Sequence, residues 1–414
     1  MTTKVNNQPE IGKMKWMVLA SLLYAALFGC TADSSPVIRL INQDNVEKTG
    51  AIVYLDKNDI GLIQGNLRIT SSNYEIPAQQ IDTDGDGDWD QVLLLCDFEP
   101  KEVKALEIAA DKADNQISAE PYTNISFSVK AQDRFAGSKI TEIVRKRGAT
   151  QRISDPFFQL EGPGIENDKV AFRTFFDPRN GKDIYGKTTD QMILDRAGIG
   201  SSWHQLSDWG MDILRVGQSL GAGGLGVIEE GTLYRLGDAD EITYQELYSG
   251  DLESSHRLEF KGWDSGSRKI DGSERLTLTK GKYYYRNDIG ISDTTLTLAV
   301  GIPSFKSDSV TFRKHNDLFS SISTYENQAD GTDSKLGLAV LFSSDQYVDH
   351  GSTDTTGTVS DTHYVALKGQ PETRIYFFAC WELSDVYFSK RSNFEEYLQK
   401  EADKLSNTIQ IIKK

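Results

Sequence analysis

RLTLTKGKYYYRND, residues 275–288, is one of the β-branched and aromatic runs that dominate the chain after Gln151. Short runs of this kind, bounded by Gly, Asn, Asp or Ser, are typical of β-strands. The others in this part are KVAFRTFF (169–176), HRLEFKGW (256–263), TLTLAVGI (295–302), KLGLAVLF (335–342), THYVALKG (362–369) and TRIYFFACWE (373–382). Four earlier runs share the pattern: VIRLIN (37–42), AIVYL (51–55), LRITS (67–71) and QVLLLCDF (91–98).

This pattern predicts an all-β protein of stacked antiparallel sheets, a β-sandwich or supersandwich, with few helices. The one helix that we predict lies at the C-terminus, where SNFEEYLQKEADKLSNTIQ (392–410) has capping-box spacing from Ser392 to Glu395. Stacked sheets bury one face of each strand and leave the other available for a concave ligand-binding surface.

The chain has 414 residues and a formal net charge of −16. Nucleic-acid binding needs a basic face, so the charge excludes nucleic acid as a partner. An anionic ligand would instead have to be held by a local cluster of Lys and Arg.

The N-terminus carries an export signal. Lys13 and Lys15 precede the apolar run WMVLASLLYAALFG (16–29), which is short for a membrane span but suits a signal peptide. LFGC (27–30) resembles the lipobox of bacterial lipoproteins, with Phe28 as a departure, and predicts lipidation of Cys30. The alternative is an ordinary signal peptide cleaved near Ala32.

We therefore expect residues 1–30 to be a lipoprotein signal peptide and residues 31–36 a tether. An N-terminal β-rich region would span 37–130, a connector 131–150, and the main catalytic β-sandwich with its C-terminal helix 151–414. The protein would be exported and held by its lipid anchor alone, at the outer membrane facing the periplasm. Cys96 and Cys380 either pair or lie separately buried; the sequence leaves both open.

GQSLGAGGLGV (217–227) holds Gly221, Gly223 and Gly226 in the spacing of a dinucleotide-binding loop. That motif requires a helix after the glycines and a βαβ unit, and the residues that follow show no helical apolar stripe. We expect instead that the glycines let the backbone pass close beneath a site formed by residues 203–212.

DTDGDGDWD (82–90) matches the first half of a calcium loop through Asp82, Asp84, Asp86, Asp88 and Asp90. The twelfth position is Leu93 in place of the usual bidentate Glu. An Asp/Gly turn between two strands favours the same residues, and we prefer that interpretation. A structural calcium remains open, and no cofactor is required.

ENDKVAFRTFFDPRNGKDIYGK (166–187) concentrates positive charge in this acidic chain. Its five cations from residue 169 onward face only two acids, Asp177 and Asp183; they are Lys169, Arg173, Arg179, Lys182 and Lys187. Strand alternation would place Val170 and Phe172 on one face, with Ala171 and Arg173 on the other. Guanidinium groups suit carboxylate or sulfate, so the segment favours an anionic sugar over a solvated loop.

GSSWHQLSDWGMDILRVGQSLGAGGLG (200–226) follows and contains His204 between Trp203 and Gln205. On a helical turn His204 and Asp208 would share a face, so the carboxylate could orient the imidazole. The alternative is a histidine satisfied at a sheet edge. No His pattern matches a catalytic zinc site, and the serines lack a G-x-S-x-G elbow.

These two segments resemble a family of exported bacterial proteins that is catalogued as a domain of unknown function and encoded with polysaccharide-degrading enzymes. The family includes an oligosaccharide dehydratase of ulvan breakdown, and the resemblance covers residue 37 onward. It implies removal of water from a glucuronic or iduronic acid at the non-reducing end, next to sulfated rhamnose. The product would be a 4,5-unsaturated uronosyl residue.

That chemistry needs a base, a proton donor and carboxylate-neutralising cations. We assign His204 as base or acid, Tyr185 as its partner, Arg179 with Lys182 or Lys187 as neutralising cations, and Asp208 as the group that orients His204. Arg173 or Arg286 would receive the sulfate. The full set of expected substrate-binding residues is Asn167, Arg173, Asp183, Lys187, Trp203, Arg286 and His315.

Two other classes stay open. A lipid-anchored glycan-binding protein would use the same Trp and Arg residues without needing His204. A uronate lyase would expel a sugar, and a glycoside hydrolase would need two carboxylates flanking the scissile bond, for which Asp177, Asp183 and Asp208 are available.

Overall fold

The structure is a computed structural model that describes residues 38–61, 63, 65–111, 121–130, 137–149, 157–200, 202–353 and 359–413. The predicted signal peptide, the lipidation site Cys30 and the tether lie outside these residues. Neither helix among the described residues is long and apolar enough to cross a membrane.

The N-terminal part contains nine strands and one short helix. They are β1 (Ile38–Ile41), β2 (Lys48–Asp56), α1 (Lys57–Ile60), β3 (Leu67–Ser71), β4 (Tyr74–Glu75), β5 (Ala78–Ile81), β6 (Gln91–Phe98), β7 (Val103–Ala105), β8 (Glu107–Ala110) and β9 (Thr123–Ser126).

The described residues in the middle of the chain form ten further strands. They are β10 (Glu142–Lys146), β11 (Gly164–Asn167), β12 (Val170–Thr174), β13 (Lys182–Lys187), β14 (Gly210–Asp212), β15 (Leu225–Glu229), β16 (Thr232–Arg235), β17 (Ala239–Ser249), β18 (Glu253–Asp264) and β19 (Lys269–Thr279).

The last part adds nine strands, the second helix and the 3₁₀ turns Ser344–Gln346 and Val386–Ser389. The strands and helix are β20 (Tyr284–Ile291), β21 (Thr297–Pro303), β22 (Thr311–Lys314), β23 (Phe319–Glu326), β24 (Leu336–Ser343), β25 (Tyr347–Ser352), β26 (Thr362–Lys368), β27 (Glu372–Trp381), α2 (Arg391–Ser406) and β28 (Gln410–Lys413).

The strands form six sheets. The largest has nine strands in the order β10-β17-β18-β19-β20-β27-β24-β23-β22, and two have five, β14-β13-β12-β11-β9 and β16-β15-β21-β26-β25. Three small sheets, β28-β1-β7, β2-β6-β5 and β4-β3-β8, belong to the N-terminal part and the chain end. The strand pairs within them are antiparallel, so the all-β prediction of stacked antiparallel sheets is confirmed.

The main core lies where the five-stranded sheet of β12 and β13 packs against the nine-stranded sheet. Phe172 of β12 meets Tyr285 of β20 with ring centroids 4.8 Å apart, and Phe377 of β27 at 6.3 Å. A separate apolar cluster fills the N-terminal part and includes Cys96. Cys380 is buried elsewhere, beneath α2, and both thiols are free.

Two local predictions differ from the structure. The expected connector 131–150 contains strand β10, which extends the nine-stranded sheet by pairing with β17, while residues 131–136 and 150 lie outside the description. The C-terminal helix is present, but it begins at Arg391 after Lys390, so Ser392 is already inside it and forms no capping box. Phe394 and Leu398 are its buried apolar anchors, as the apolar spacing predicts.

The glycine run approaches β13 and β20 closely, whereas the prediction placed its close approach beneath residues 203–212. Gly221 has φ +79°, forms a bridge with Lys182, and a Cβ there would overlap the Lys182 backbone. A Cβ on Gly223 would overlap the Tyr285 hydroxyl. Strand β15 then turns back into β16 without a helix, which excludes a dinucleotide-binding unit at this loop.

Candidate active site

The hairpin of β12 and β13, with β14 at the sheet edge, places four polar side chains on one face. Arg173 is the cross-strand partner of Asp183, and Tyr185 is the partner of Asp212. Partners in an antiparallel sheet, and residues two apart along a strand, point to the same side. Val170, Phe172 and Ile184 point to the other side and enter the main core, as the sequence predicts for the first two.

Lys182 lies on the core side of β13, because it alternates with Asp183. Its ammonium group is fully buried and bonds Glu274 at 2.7 Å. Lys182 therefore holds the sheets together and cannot neutralise a substrate beside Tyr185, which corrects that assignment.

Lys187 and Asn167 are also structural. Lys187 bonds the equally buried Glu166 at 3.0 Å, and Glu166 accepts hydrogen bonds from the backbone amides of Ile193 and Leu194. The side-chain amide of Asn167 donates hydrogen bonds to the backbone carbonyls of Thr279 and Lys282, which connects the β11–β12 turn to the nine-stranded sheet. These bonds fix the segment 188–209 over the polar face and leave neither side chain free for substrate.

The covering segment brings His204 to the edge of this face. The His204 side chain is 66% exposed, and its Nδ1 lies 3.5 Å from Oδ2 of Asp212. The indole N–H of Trp203 donates to Nε2 of His204 at 3.0 Å. Because an indole only donates, Nε2 accepts and the proton of the neutral ring is on Nδ1, facing Asp212.

Asp212, and not Asp208, is the carboxyl group behind His204. Residues 203–209 form turns and not a helix, so the four-residue spacing does not bring His204 and Asp208 together. Asp208 is exposed, and among the described residues its one hydrogen bond is accepted by its backbone carbonyl from Thr188.

Asp183 and Asp212 form a buried carboxyl pair. Burial raises the pKa of Asp212 well above its usual range, and its neighbour Asp183 raises it further, whereas Arg173 opposes the shift. Asp183 accepts hydrogen bonds from the Arg173 guanidinium and the Ile184 amide, so it is the better-stabilised carboxylate. We place the proton of this pair on Asp212, because the pKa of Asp212 is raised well above its usual range while two donors stabilise the Asp183 carboxylate.

Two guanidinium groups contact the Phe175 ring. Arg173 is buried, with its guanidinium carbon 4.6 Å from the ring centroid, and Arg179 lies at 3.8 Å. Arg179 is 29% exposed and bonds both Asp177 and Glu161. Arg179 is thus the solvent-accessible cation on this side of the sheet.

Three buried atoms of the cluster have no hydrogen-bond partner within the described part of the chain: Tyr185 Oη, Arg173 Nε and Asp212 Oδ2. Buried polar atoms are normally bonded, so these three atoms suit a water or a substrate hydroxyl as a partner. Burial also raises the pKa of the Tyr185 phenol, which keeps its proton at neutral pH.

Two predicted substrate-binding residues lie elsewhere. His315 bonds Gln399 of α2 at 3.1 Å and Ser321 at 2.8 Å, so it fastens the helix to the nine-stranded sheet. Arg286 lines a cavity beside β2 and bonds Tyr54 at 3.3 Å. Sequence spacing alone does not show that these two residues lie far from His204.

The aspartate loop has features of a turn and of a cation site. Asp82 accepts from the amides of Gly85 and Gly87, and Asp88 pairs with Lys57. The carboxylates of Asp82, Asp84 and Asp86 could supply ligand oxygens within 4.8 Å of one another. Asp90 accepts a hydrogen bond from the Thr83 hydroxyl and so stabilises the loop. Calcium binding stays the alternative to the preferred Asp/Gly turn.

The family model described as Domain of unknown function (DUF4861) matches residues 40–411. The chain belongs to this DUF4861 family. No curated protein matches the sequence.

Two solved structures from Enterococcus faecalis resemble this DUF4861 protein. A protein in glycosyl hydrolase family 38 has 7% identity and a TM-score of 0.48, over 93% of this chain and 48% of that one. An α-mannosidase from strain V583 has 8% identity and a TM-score of 0.46, over 92% and 46%. This chain therefore spans about half the length of either.

Proposed function

We propose that this DUF4861 protein is an oligosaccharide dehydratase, a carbon–oxygen lyase. Its substrate would be a glucuronic or iduronic acid at the non-reducing end of an ulvan oligosaccharide, next to sulfated rhamnose. The observation that carries the proposal is the exposed His204 imidazole above Asp212, Asp183, Arg173 and the unbonded Tyr185 hydroxyl. This set supplies a base, a proton donor and one buried cation, Arg173, within one sheet face.

His204 acts as the base. With its Nδ1 proton toward Asp212, it presents the Nε2 lone pair on the exposed side once the Trp203 indole is displaced. His204 removes the C5 proton, which is acidic because C5 adjoins the uronate carboxylate. A positioned base of this type contributes about 10²–10⁴-fold to the rate.

The electron pair of the C5–H bond forms the C4=C5 double bond, and the C4–O bond breaks. Tyr185 donates its phenolic proton to the departing hydroxide, and water leaves. His204 then returns its proton through solvent to restore the Tyr185 phenol. The unsaturated uronosyl residue and one water account for all atoms.

Arg179 would balance the substrate carboxylate, on which negative charge grows as the C5 proton leaves, by exchanging its bond to Asp177 or Glu161 for one to the substrate. Its partial exposure supports this role. Arg173 is buried and holds Asp183, so we assign it to fixing the carboxyl pair and not to a sulfate group.

The carboxyl pair argues against glycoside hydrolysis at this site. The two carboxyl groups of glycosidases stand roughly 5–9.5 Å apart to flank the sugar. Asp183 and Asp212 are both buried against the same guanidinium nitrogen of Arg173, so a fixed cation and not a sugar lies beside both carboxyl groups.

We also propose that the protein is exported, lipidated at Cys30 and located at the outer membrane facing the periplasm. The N-terminal sequence supports this. A lipid-anchored glycan-binding protein would share the location but would leave its ligand chemically unchanged.

The deciding experiment incubates the purified protein with saturated uronate–rhamnose-3-sulfate oligosaccharides. Ultraviolet absorbance reports the conjugated alkene, and mass spectrometry reports the loss of one water. A dehydratase raises the absorbance without cleaving the chain. New reducing ends would indicate a hydrolase, and bound but unaltered oligosaccharide would indicate a binding protein.

A further inference from the structure

A second cavity lies on the opposite side of the nine-stranded sheet from the candidate active site. It has a volume of about 240 Å³ and lies between β2, the strands β19, β20 and β27, and the helix α2. Arg286, Arg374 and Tyr376 line it from the sheet, Tyr54 from β2, and Lys404 from α2.

Strand alternation separates this cavity from His204. Tyr285 pairs with Phe377, and both point into the main core toward Phe172. Arg286 pairs with Tyr376, and both point the other way. Two sheet layers therefore stand between the sites, a distance on the order of 10 Å for each packing layer.

The cavity carries a surplus of positive charge, because cations share their carboxylates. Lys282 and Lys404 both bond Glu401, at 3.0 and 2.8 Å. Arg286 and Arg374 both bond Asp288, at 3.1 and 2.5 Å. Each group of two cations and one carboxylate keeps a net positive charge, in a chain whose net charge is −16.

Glu253 also counts in this balance, because hydrogen bonds from neutral hydroxyls do not cancel its charge; the four cations therefore exceed the three carboxylates Glu401, Asp288 and Glu253 by one. The buried Glu253 accepts hydrogen bonds from Tyr54, Tyr248 and Thr279, and Asp44 pairs with Lys48. Arg374 is 57% exposed and also lines a wider groove with Arg257 and Arg275. The cavity thus meets, at Arg374, a solvent-facing groove that three arginines line together with Asp288 and Glu372.

We propose that this cavity is a second binding site for one carboxylated or sulfated sugar residue. The guanidinium and ammonium groups would hold the acidic group, and the Tyr54 and Tyr376 rings would contact the sugar face. About 240 Å³ corresponds to roughly eight water volumes, which suits a single sugar residue and not a polymer chain. His204, the base assigned to the elimination step, does not line this cavity, so the proposal here is one of binding alone.

The test is calorimetric titration of the full chain with methyl glucuronide and, as a neutral probe, methyl glucoside. The variant is Arg374→Ala with Lys404→Ala, both at partly exposed positions. The matched control is Lys400→Ala, on the same helix but outside the cavity, where Lys400 pairs with Glu396.

At this site, we expect the double variant to bind methyl glucuronide about tenfold more weakly than wild type and Lys400→Ala do. The affinity of wild type for methyl glucuronide should fall as the salt concentration rises. Methyl glucoside should bind this site weakly in all three proteins. Equal glucuronide affinity and stoichiometry in the double variant, or equally tight glucoside binding, would overturn the proposal.

Elimination activity separates this proposal from the function assigned to His204. The double variant should still dehydrate an oligosaccharide if both proposals hold. Charge-dependent glucuronide binding in a protein that performs no elimination would refute only the dehydratase function.

Discussion

Nδ1 of His204 lies 3.5 Å from Oδ2 of Asp212, although eight positions separate the two residues and the chain between them forms turns. The covering segment sets this contact by bringing His204 back over the strand that carries Asp212. The exposed base and its buried partner are therefore held by different parts of the fold.

Replacing His204 by Ala should reduce dehydration by about 10²–10⁴-fold, because a general base is lost. The alkene absorbance of the product measures the rate. His350→Ala is the matched control, since His350 is a partly exposed histidine that bonds Tyr347 on β25. Full activity in His204→Ala would refute the assigned base.

Asp212→Asn should lower kcat, whereas Asp208→Asn should not, because only Asp212 lies behind the imidazole. The pH dependence of stability gives a second readout. The pKa of Asp212 is raised in the folded state, so wild-type stability falls as pH rises from the unfolded pKa toward the folded one. Asn is neutral throughout, so the stability of the variant relative to wild type should increase over that interval in urea titrations.

Tyr185→Phe removes a buried hydroxyl that has no partner among the described residues. The free energy of unfolding should change little, because no hydrogen bond is lost. The elimination rate should nevertheless fall if this phenol protonates the leaving group. A variant with normal stability and normal rate would exclude Tyr185 as the donor.

Lys182→Met should destabilise the fold by about 3–5 kcal/mol, because it leaves Glu274 buried without its cation. Adding Glu274→Gln should restore much of the loss. The folded double variant should keep its kcat, as expected for a structural ion pair. Denaturant unfolding and the absorbance assay measure the two effects.

His256→Phe should make the protein less sensitive to acid. Burial, with a smaller contribution from Lys182, lowers the pKa of His256 to about 3. The unfolded histidine binds a proton below about pH 6.5, so wild type loses stability as pH falls from there toward the folded pKa. The variant lacks this dependence, and thermal unfolding between those pH values would reveal it.

The sequence predicted the strands well because their apolar alternation is local. It also predicted that Phe172 and Arg173 of β12 point to opposite faces of the sheet. The partner of His204 escaped prediction, since Asp212 reaches it through strand pairing with Tyr185 and not through sequence spacing. The assignment of Lys182 and Arg179 to the same role rested on their closeness in sequence. It was wrong for Lys182, because strand alternation points this side chain into the core.

Strand β13 serves two sides of its sheet with alternate residues. Lys182 and Ile184 secure it to the main core, while Asp183 and Tyr185 build the candidate active site. Inserting or deleting one residue in the turn 175–181 would exchange these sets, because every side chain would change sides. The length of this turn is therefore constrained by folding and by chemistry together, so relatives that keep the same site should vary in length elsewhere.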